Sequence, residues 1–168
     1  TTLALGLLDV DDFKTINDGI GHEAGDELLT MVASTLRTCV RPMDTAARLG
    51  GDEFAVLLQD LNGPDDPKVV ADRILEALRS PIVVRGREIV ISATIGIATL
   101  ITGRENALEI MRNADAAMYA AKRQGKGRYE VFAPKMQVAV AQRLELAGEM
   151  RRGVERGEFT VHYQPIVR

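Results

Sequence analysis

The chain has one cysteine, Cys39, among its 168 residues, which excludes an internal disulfide bond and fits a reducing compartment. It also lacks any run of about 18 apolar residues that could cross a membrane, and no signal peptide precedes the first apolar segment. The net charge of −3 provides no basic excess, so we expect no nucleic-acid partner. We therefore expect a cytoplasmic domain, with any membrane anchor carried by segments outside this sequence.

Short apolar runs alternate with helical periodicity along the chain. This order predicts an α+β fold in which helices flank a central, mainly antiparallel sheet. The predicted strands lie at residues 3–8, 46–49, 54–58, 81–84, 88–97 and 129–132, and the predicted helices at 22–38, 69–78, 105–124 and 135–156. In the helix at 105–124, one apolar stripe is predicted to comprise Leu108, Met111, Ala114, Met118 and Ala121.

Both ends of the sequence predict a fragment of a longer protein. The chain opens inside a strand-like apolar run, and residues 159–167 indicate a strand that begins something new. Residues 135–156 are rich in Arg, Glu and Ala and poor in bulky apolar residues, which favours a linker helix. We expect one domain at 1–134, a linker helix at 135–156 and the start of another domain at 157–168.

Two acidic clusters lie at the ends of predicted strands. Asp9, Asp11 and Asp12 follow the first strand, and Gly50-Gly51-Asp52-Glu53-Phe54 forms the turn of a hairpin, called here the Gly-Gly turn. Alternate strand residues share a face, so Asp9 and Asp11 are predicted to point together. Close carboxylates repel one another unless a cation lies among them, and Mg²⁺ prefers such oxygen ligands. A solvated acidic turn remains the alternative.

The residues after the first cluster suit a nucleotide. Lys14 can meet a phosphate as a point charge. The amide of Asn17 and the carboxylate of Asp26 match the edge of guanine, which offers both an acceptor and donors. A turn role for Asn17 and a helix-dipole role for Asp26 are equally consistent with the sequence.

A family resemblance joins these features. The segments Asp9-Val10-Asp11-Asp12-Phe13-Lys14-Thr15-Ile16-Asn17-Asp18, Gly21-His22, Gly25-Asp26 and the Gly-Gly turn resemble, in order and spacing, the GGDEF-type diguanylate cyclases. The resemblance covers residues 3–132 and implies a palm, or nucleotide-cyclase-like, domain. It also implies condensation of two GTP molecules into cyclic di-GMP, two Mg²⁺ ions per site or Mn²⁺ in their place, and a homodimer.

The same resemblance implies roles for individual residues. Asp52 and Glu53 would be catalytic, and Asp9, Asp52 and the main-chain carbonyl of Val10 would bind metal. Seven further residues would bind the substrate: Asp12, Phe13, Lys14, Asn17, Asp26, Lys122 and Lys126.

For three of the implied roles, either another interpretation is open or the sequence departs from the family pattern. Lys122 could instead only complement the dipole of its helix. Lys126 stands in a Gly-Lys-Gly triplet where the family carries Gly-Arg-Asn, so the bidentate fork is lost and we expect a weaker grip on the nucleotide. Arg41 and Asp44 match the Arg-x-x-Asp product-inhibition site of these cyclases, although from spacing alone they form an ordinary turn pair.

The tail resembles the first strand of an EAL-type phosphodiesterase domain, which hydrolyses the same dinucleotide. Gln164 would line that domain's pocket, but its metal-binding acids are absent, so we expect no phosphodiesterase activity here. The full-length protein would carry an upstream sensor and a downstream EAL domain. The chain could then be a regulatory module that binds GTP or cyclic di-GMP, or an inert fragment. Because Asp9, Lys14, Asp52 and Glu53 are all in place, catalysis is the preferred interpretation.

Overall fold

The computed structural model describes residues 2–101 and 106–162, without the side chains of residues 101 and 138–147. The chain divides into two compact units, Thr1–Ala133 and Pro134–Arg168. The strands are β1 (Thr2–Val10), β2 (Thr45–Gly50), β3 (Glu53–Leu58), β4 (Ile82–Val84), β5 (Arg87–Ile89), β6 (Ala93–Ile101) and β7 (Tyr129–Val131). The helices are α1 (Phe13–Ile20), α2 (His22–Cys39), α3 (Asp66–Arg79), α4 (Ala107–Arg123) and α5 (Pro134–Glu155).

A five-stranded sheet with the order β2-β3-β1-β6-β7 forms the centre of the first unit. β1 pairs antiparallel with both β3 and β6, β2 pairs antiparallel with β3, and β7 runs parallel to β6. β4 and β5 form a separate antiparallel hairpin. The predicted α+β fold with a mainly antiparallel sheet and flanking helices is therefore confirmed.

Side-chain alternation along β1 determines which helices cover each face of the sheet. Ala4 and Leu8 point into a core formed with α2 and α3, whereas Leu5 and Leu7 point into a second core formed with α4. On the α4 side, Gly96 of β6 allows very close approach. A Cβ added there would collide with the backbone of α4 and lie 2.7 Å from the Cα of Met118.

The predicted apolar stripe of α4 was wrong in part. Leu108 is 73% exposed and Met111 is 41% exposed, although Ala114, Met118 and Ala121 are buried as predicted. The helix is rotated so that Ala114 and Met118 lie on Gly96, and this contact brings Ile110 and Ala117 inward instead. Periodicity alone did not determine which face would meet the sheet.

The strand predicted at residues 88–97 was also wrong in extent. The chain leaves the β4–β5 hairpin after Ile89 and joins the main sheet only at Ala93. Between them Ile91 is buried, and the carbonyl oxygen of Ser92 accepts a hydrogen bond from the N–H of Asp11 at 2.9 Å. The segment that links β5 of the hairpin to β6 of the main sheet is therefore held by its own contacts, through Ile91 and Ser92.

The second unit contains the long helix α5. Gly157 adopts a φ of 66° just after this helix, and the N–H of Glu158 donates to the carbonyl oxygen of Gly153 at 2.9 Å, a typical helix C-terminus. Residues 158–162 form no strand. The rest of the predicted tail strand, including Gln164, lies outside the described residues. Across the described helices, none has the length and apolar character needed to span a membrane.

Candidate active site

The pairing of β1 with β3 brings both acidic clusters to one end of the sheet. Asp9 lies directly opposite Glu53, and the N–H of Val10 donates to the carbonyl oxygen of Asp52 at 3.2 Å. Residues opposite each other in an antiparallel pair share a face, so Asp9 and Glu53 both lie on the side that α4 covers.

Asp9 is a largely buried carboxylate with a raised pKa. Its side chain is 14% exposed, and its Oδ2 forms an ion pair with Nζ of Lys122 at 2.8 Å. Burial raises the pKa of Asp9, the Lys122 cation opposes that rise, and the carboxylates of Asp52 and Asp11 add to it. Positive charge is therefore favoured beside Asp9, and Lys122 supplies it from the last turn of α4.

The Gly-Gly turn has an open surface. Gly51 adopts a φ of 53°, a conformation that glycine takes without strain, and Nε of Arg48 donates to its carbonyl oxygen at 2.9 Å. A Cβ added at Gly50 or Gly51 would meet nothing within 4 Å. A ligand can consequently lie directly against the main chain of the turn.

The acidic residues at this end suit a magnesium ion that arrives with a substrate. Within residues 2–101 and 106–162, no three Asp, Glu, His or Cys side chains converge into a metal cage. Mg²⁺ usually takes only one or two carboxylates and completes its shell with water and substrate phosphates. Asp9 and Asp52, with the Val10 carbonyl beside them, fit that requirement.

A second carboxylate–lysine pair lies next to the first. Asp12 adopts a left-handed φ of 57° just before α1, and its Oδ1 pairs with Nζ of Lys126 at 2.8 Å. Phe13 is buried, whereas Lys14 is exposed. The first N–H groups of a helix have no partner within it, so those of Phe13 and Lys14 are available to an anion.

Asp11 lies beside Asp9, because it accepts a hydrogen bond from Thr94, the residue directly opposite Asp9 in β6. It is 4% exposed and accepts hydrogen bonds from Oγ of Ser92 at 2.8 Å, Oγ1 of Thr94 at 2.7 Å and the N–H of Gly127 at 3.0 Å. The two carboxylates share one side of the sheet, but Asp11 is held by hydrogen bonds from the protein whereas Asp9 pairs with Lys122.

Asn17 and Asp26 lie on α1 and α2 respectively. Oδ1 of Asn17 is buried and, among the buried side-chain polar atoms of the described residues, is the one without a hydrogen-bond partner. Asp26 is exposed. A Cβ on Gly25, the residue before Asp26, would collide with the Asn17 amide and lie 2.8 Å from its Cγ. Only glycine at position 25 leaves room for this Asn17 conformation.

Arg41 and Asp44 lie on the loop between α2 and β2, at the end of β2 opposite to the Gly-Gly turn. The carboxylate of Asp44 accepts from the N–H of Arg41 at 2.9 Å and from the N–H of Gln59 at 3.1 Å. Asp44 therefore stabilises its own loop, while the side chain of Arg41 is exposed.

Sequence reasoning missed the structural roles of four residues around the site: Gly25, Ser92, Thr94 and Gly127. Ser92 and Thr94 resemble ordinary residues of a strand, and no local pattern links them to Asp11. Gly25 belongs to a segment that carries the family resemblance, but its steric role follows only from the packing of α1 against α2.

The chain matches known proteins over most of its length. The profile of a family described as diguanylate cyclase, GGDEF domain, matches residues 1–128. The bifunctional diguanylate cyclase/cyclic di-GMP phosphodiesterase MucR of Pseudomonas aeruginosa is 42% identical over 164 residues, which are 98% of this chain and 24% of MucR. The chain thus spans about a quarter of the length of that curated relative.

Two solved structures are similar in fold. The GGDEF domain of TpbB, or YfiN, from Pseudomonas aeruginosa has a TM-score of 0.80 at 39% identity, covering 83% of this chain and 82% of that chain. The GGDEF domain of DgcB from Caulobacter crescentus, in complex with c-di-GMP, has a TM-score of 0.67 at 34% identity, covering 78% of each.

The strand order and the acidic end of the sheet define a palm-like GGDEF fold. The chain belongs to the GGDEF family of diguanylate cyclase domains.

Proposed function

We propose that this domain is a diguanylate cyclase, which condenses two GTP molecules into cyclic di-GMP and releases two pyrophosphates. The supporting observation is the placement of Asp9 opposite Glu53, with Asp52 bonded through its backbone to Val10 and Lys122 paired with Asp9. Family members that carry the diguanylate cyclase name, and the bound dinucleotide of DgcB, support the same conclusion.

Asp9, Asp52 and the Val10 carbonyl would hold two Mg²⁺ ions, with Glu53 completing the acidic site, and Mn²⁺ would suit the same ligands. When bound, the ions would activate the attacking 3′-hydroxyl and stabilise the charge that develops on the α-phosphate and pyrophosphate. The carboxylates act by fixing positions, because phosphoryl transfer asks little covalent chemistry of the protein.

The triphosphate would bind where the two lysine pairs and the start of α1 meet. The N–H groups of Phe13 and Lys14, next to Asp12, would donate to phosphate oxygens, and the Lys14 side chain would add charge. Lys122 would turn from Asp9 to the terminal phosphates, and Lys126 would approach them from beside Asp12. Lys126 contributes a point charge there, since it lacks the fork of an arginine.

Guanine would bind between α1 and α2. The buried Oδ1 of Asn17 has no partner within the described protein, and a base that carries N–H donors at its edge would satisfy it. Asp26 is exposed at the start of α2 and can accept two donors from the same edge.

In each step the 3′-oxygen of one GTP attacks the α-phosphorus of the other. The bond to the bridging oxygen of pyrophosphate breaks, and the hydroxyl proton passes to solvent. A second identical step closes the ring. Because each domain would hold one GTP, the reaction requires a homodimer with two sites facing each other.

Replacing Asp52 by alanine tests the proposal. The Asp52→Ala protein, incubated with GTP and Mg²⁺ within the longer protein, should make cyclic di-GMP at least about a hundredfold more slowly than the parent, since a group that stabilises transition-state charge is removed. Asp72→Ala removes an exposed carboxylate of α3 and should leave the rate unchanged. Equal product from the Asp52 variant and the parent, measured by chromatography, would refute the site assignment.

We further propose that Arg41 and Asp44 form a product-inhibition site. Cyclic di-GMP would stack on the exposed guanidinium of Arg41 and donate to the Asp44 carboxylate. Arg41→Ala should abolish inhibition by added product, whereas Arg79→Ala, at the end of α3, should retain it. Asp44→Ala is the less informative variant because it also removes two backbone contacts of the loop. Undiminished inhibition of the Arg41 variant would count against this site.

For the architecture, we propose residues 1–134 as the cyclase domain, 135–156 as the helix that leaves it and 157–168 as the start of an EAL-type domain. The division between Ala133 and Pro134, the extent of α5 and the bifunctional relative MucR support this assignment. A sensor domain upstream of the cyclase would complete the protein.

A further inference from the structure

Asp11 is a buried carboxylate that the proposed reaction does not use. Its oxygens accept hydrogen bonds from Ser92, Thr94 and Gly127, and its own N–H donates to the Ser92 carbonyl at 2.9 Å. Burying a carboxylate is costly, and these hydrogen bonds offset the cost. Asp11 thereby joins three parts of the chain: the end of β1, the start of β6 and the loop from α4 to β7.

The loop that Asp11 holds has a strained backbone. Gly125, Lys126 and Gly127 adopt successive positive φ angles of 118°, 55° and 59°, and only Lys126 has a side chain to make this unfavourable. The N–H of Gly127 is shared between Asp11 and Oγ1 of Thr94, the latter at 3.2 Å. This bond fixes the residue directly after Lys126.

Two lysines close to this loop, one at the end of α4 and one within the loop, form ion pairs with the carboxylates that flank Asp11 in the sequence. Lys122 pairs with Asp9, and Lys126 pairs with Asp12, both at 2.8 Å. One short segment at the end of β1 therefore carries the loop anchor and both carboxylate partners.

We propose that Asp11 is a positioning residue that anchors the loop of residues 125–127 to the end of β1 and so sets where Lys122 and Lys126 stand relative to an incoming triphosphate. Asp11 itself contacts neither nucleotide nor metal. The identity of the triphosphate rests on the proposed function, but the anchoring of the loop does not.

Two substitutions separate anchoring from charge. Asp11→Ala removes every acceptor. Asp11→Asn removes the charge and reverses the hydrogen bond with Thr94 but keeps the anchor, because its Oδ1 can still accept from Gly127 and Ser92. Thr94→Val, at a fully buried position, removes one partner at nearly constant volume. Thr99→Val, at an exposed position of the same strand, is the matched control.

The full chain is measured in two ways: amide hydrogen exchange at Gly127 without nucleotide, and binding of the slowly hydrolysed analogue GTPγS with Mg²⁺. Asp11→Ala should speed exchange at Gly127 and weaken GTPγS binding about tenfold, with a matching rise in KM for GTP. The GTPγS affinity and the KM of Asp11→Asn should stay within about threefold of the parent values, because this variant retains the anchor to Gly127. Thr94→Val should show Gly127 exchange and GTPγS binding between those of Asp11→Ala and Asp11→Asn. Thr99→Val should match the parent in both measurements.

The proposal is overturned if Asp11→Ala leaves exchange and binding unchanged, or if Asp11→Asn loses as much binding as Asp11→Ala. In a chain that already carries Lys122→Met and Lys126→Met, Asp11→Ala should weaken binding no further, and an additive loss would contradict action through the lysines. If Asp11→Ala fails to fold, Asp11→Asn and Thr94→Val decide the question by the same measurements. A parent chain that binds no GTPγS refutes the proposed function, while exchange at Gly127 still decides whether Asp11 anchors the loop.

Discussion

Replacing Gly96 by alanine should push α4 away from the sheet. A methyl group at this position would collide with the carbonyl oxygen of Ala114 and the backbone nitrogen of Met118, and lie 2.7 Å from the Cα of Met118. Backbone atoms in the middle of a helix cannot turn aside as a side chain can. The whole helix would have to retreat by more than about 1 Å to restore normal van der Waals separation.

The expected loss in the free energy of unfolding depends on how easily the atoms around the added methyl group can move. Overpacked cores typically lose about 1–3 kcal/mol when side chains can adjust, and we expect the upper end here because the obstacle is backbone. Activity should fall as well, since Lys122 near the end of α4 lies 2.8 Å from Asp9. A displacement of about 1 Å at a reacting group can lower a rate about a hundredfold.

Gly6→Ala provides the matched control on β1. Its Cβ would lie 3.7 Å from Cγ2 of Ile95 and 3.8 Å from the carbonyl oxygen of Val56, which are ordinary contacts. It also borders an apolar cavity of about 20 Å³ on the α3 side of the sheet. Alanine should therefore stabilise the strand by about 0.5–1 kcal/mol. Urea denaturation followed by circular dichroism compares the two variants. If Gly96→Ala unfolds at the same urea concentration as the parent, the close seating of α4 is refuted.

Two further predictions concern individual site residues. Gly25→Ala should displace the Asn17 amide and weaken GTPγS binding about tenfold, while folding stability stays the same or rises by up to about 1 kcal/mol because alanine favours helix. Gly19→Ala, whose added Cβ meets nothing within 4 Å, should bind GTPγS as the parent does in the same binding measurement, and equal binding by both variants would contradict the steric account. The folded pKa of Asp9 is raised above 3.8 mainly by burial, so ionisation of this group destabilises the metal-free protein as the pH rises above about 4. Asp9→Asn should therefore unfold at a higher urea concentration than the parent at pH 7 in EDTA. This difference in stability should vanish below about pH 4, where Asp9 of the parent is protonated in both the folded and the unfolded state. A difference that grows in acid would show that burial of the charged Asp9 is not its cause.

The features that were predictable from sequence are those with local causes. The apolar run of β1 and the Gly-Gly turn each encode their conformation in a few neighbouring residues, and both were located correctly. The parallel pairing of β7 with β6 and the break between β5 and β6 depend on contacts distant in sequence. The face of α4 depended on the single contact at Gly96, which periodicity cannot reveal.

In the candidate site, too, features with local causes were predictable and features that depend on distant contacts were not. The positions of the two acidic clusters at strand ends were enough to predict that Asp9 lies beside the Gly-Gly turn, because β1 and β3 pair directly. The environment of Asp11 depended on Gly127, which is 116 positions away. A carboxylate at a strand end has the same appearance in a sequence whether it binds a cation or anchors a loop.

The central place of β1 has a consequence for how the protein is made. β1 leaves the ribosome before either of its neighbours, and its second edge has no partner until residues 93–101 have been synthesised. Pairing over such separations carries a large loop-closure cost, so the nascent strand must wait with apolar side chains on both faces. Lys122 and Gly127 emerge later still. The proposed nucleotide site would therefore be completed only after β1, β3 and β6 have been synthesised, and a chain stalled earlier would expose an aggregation-prone strand.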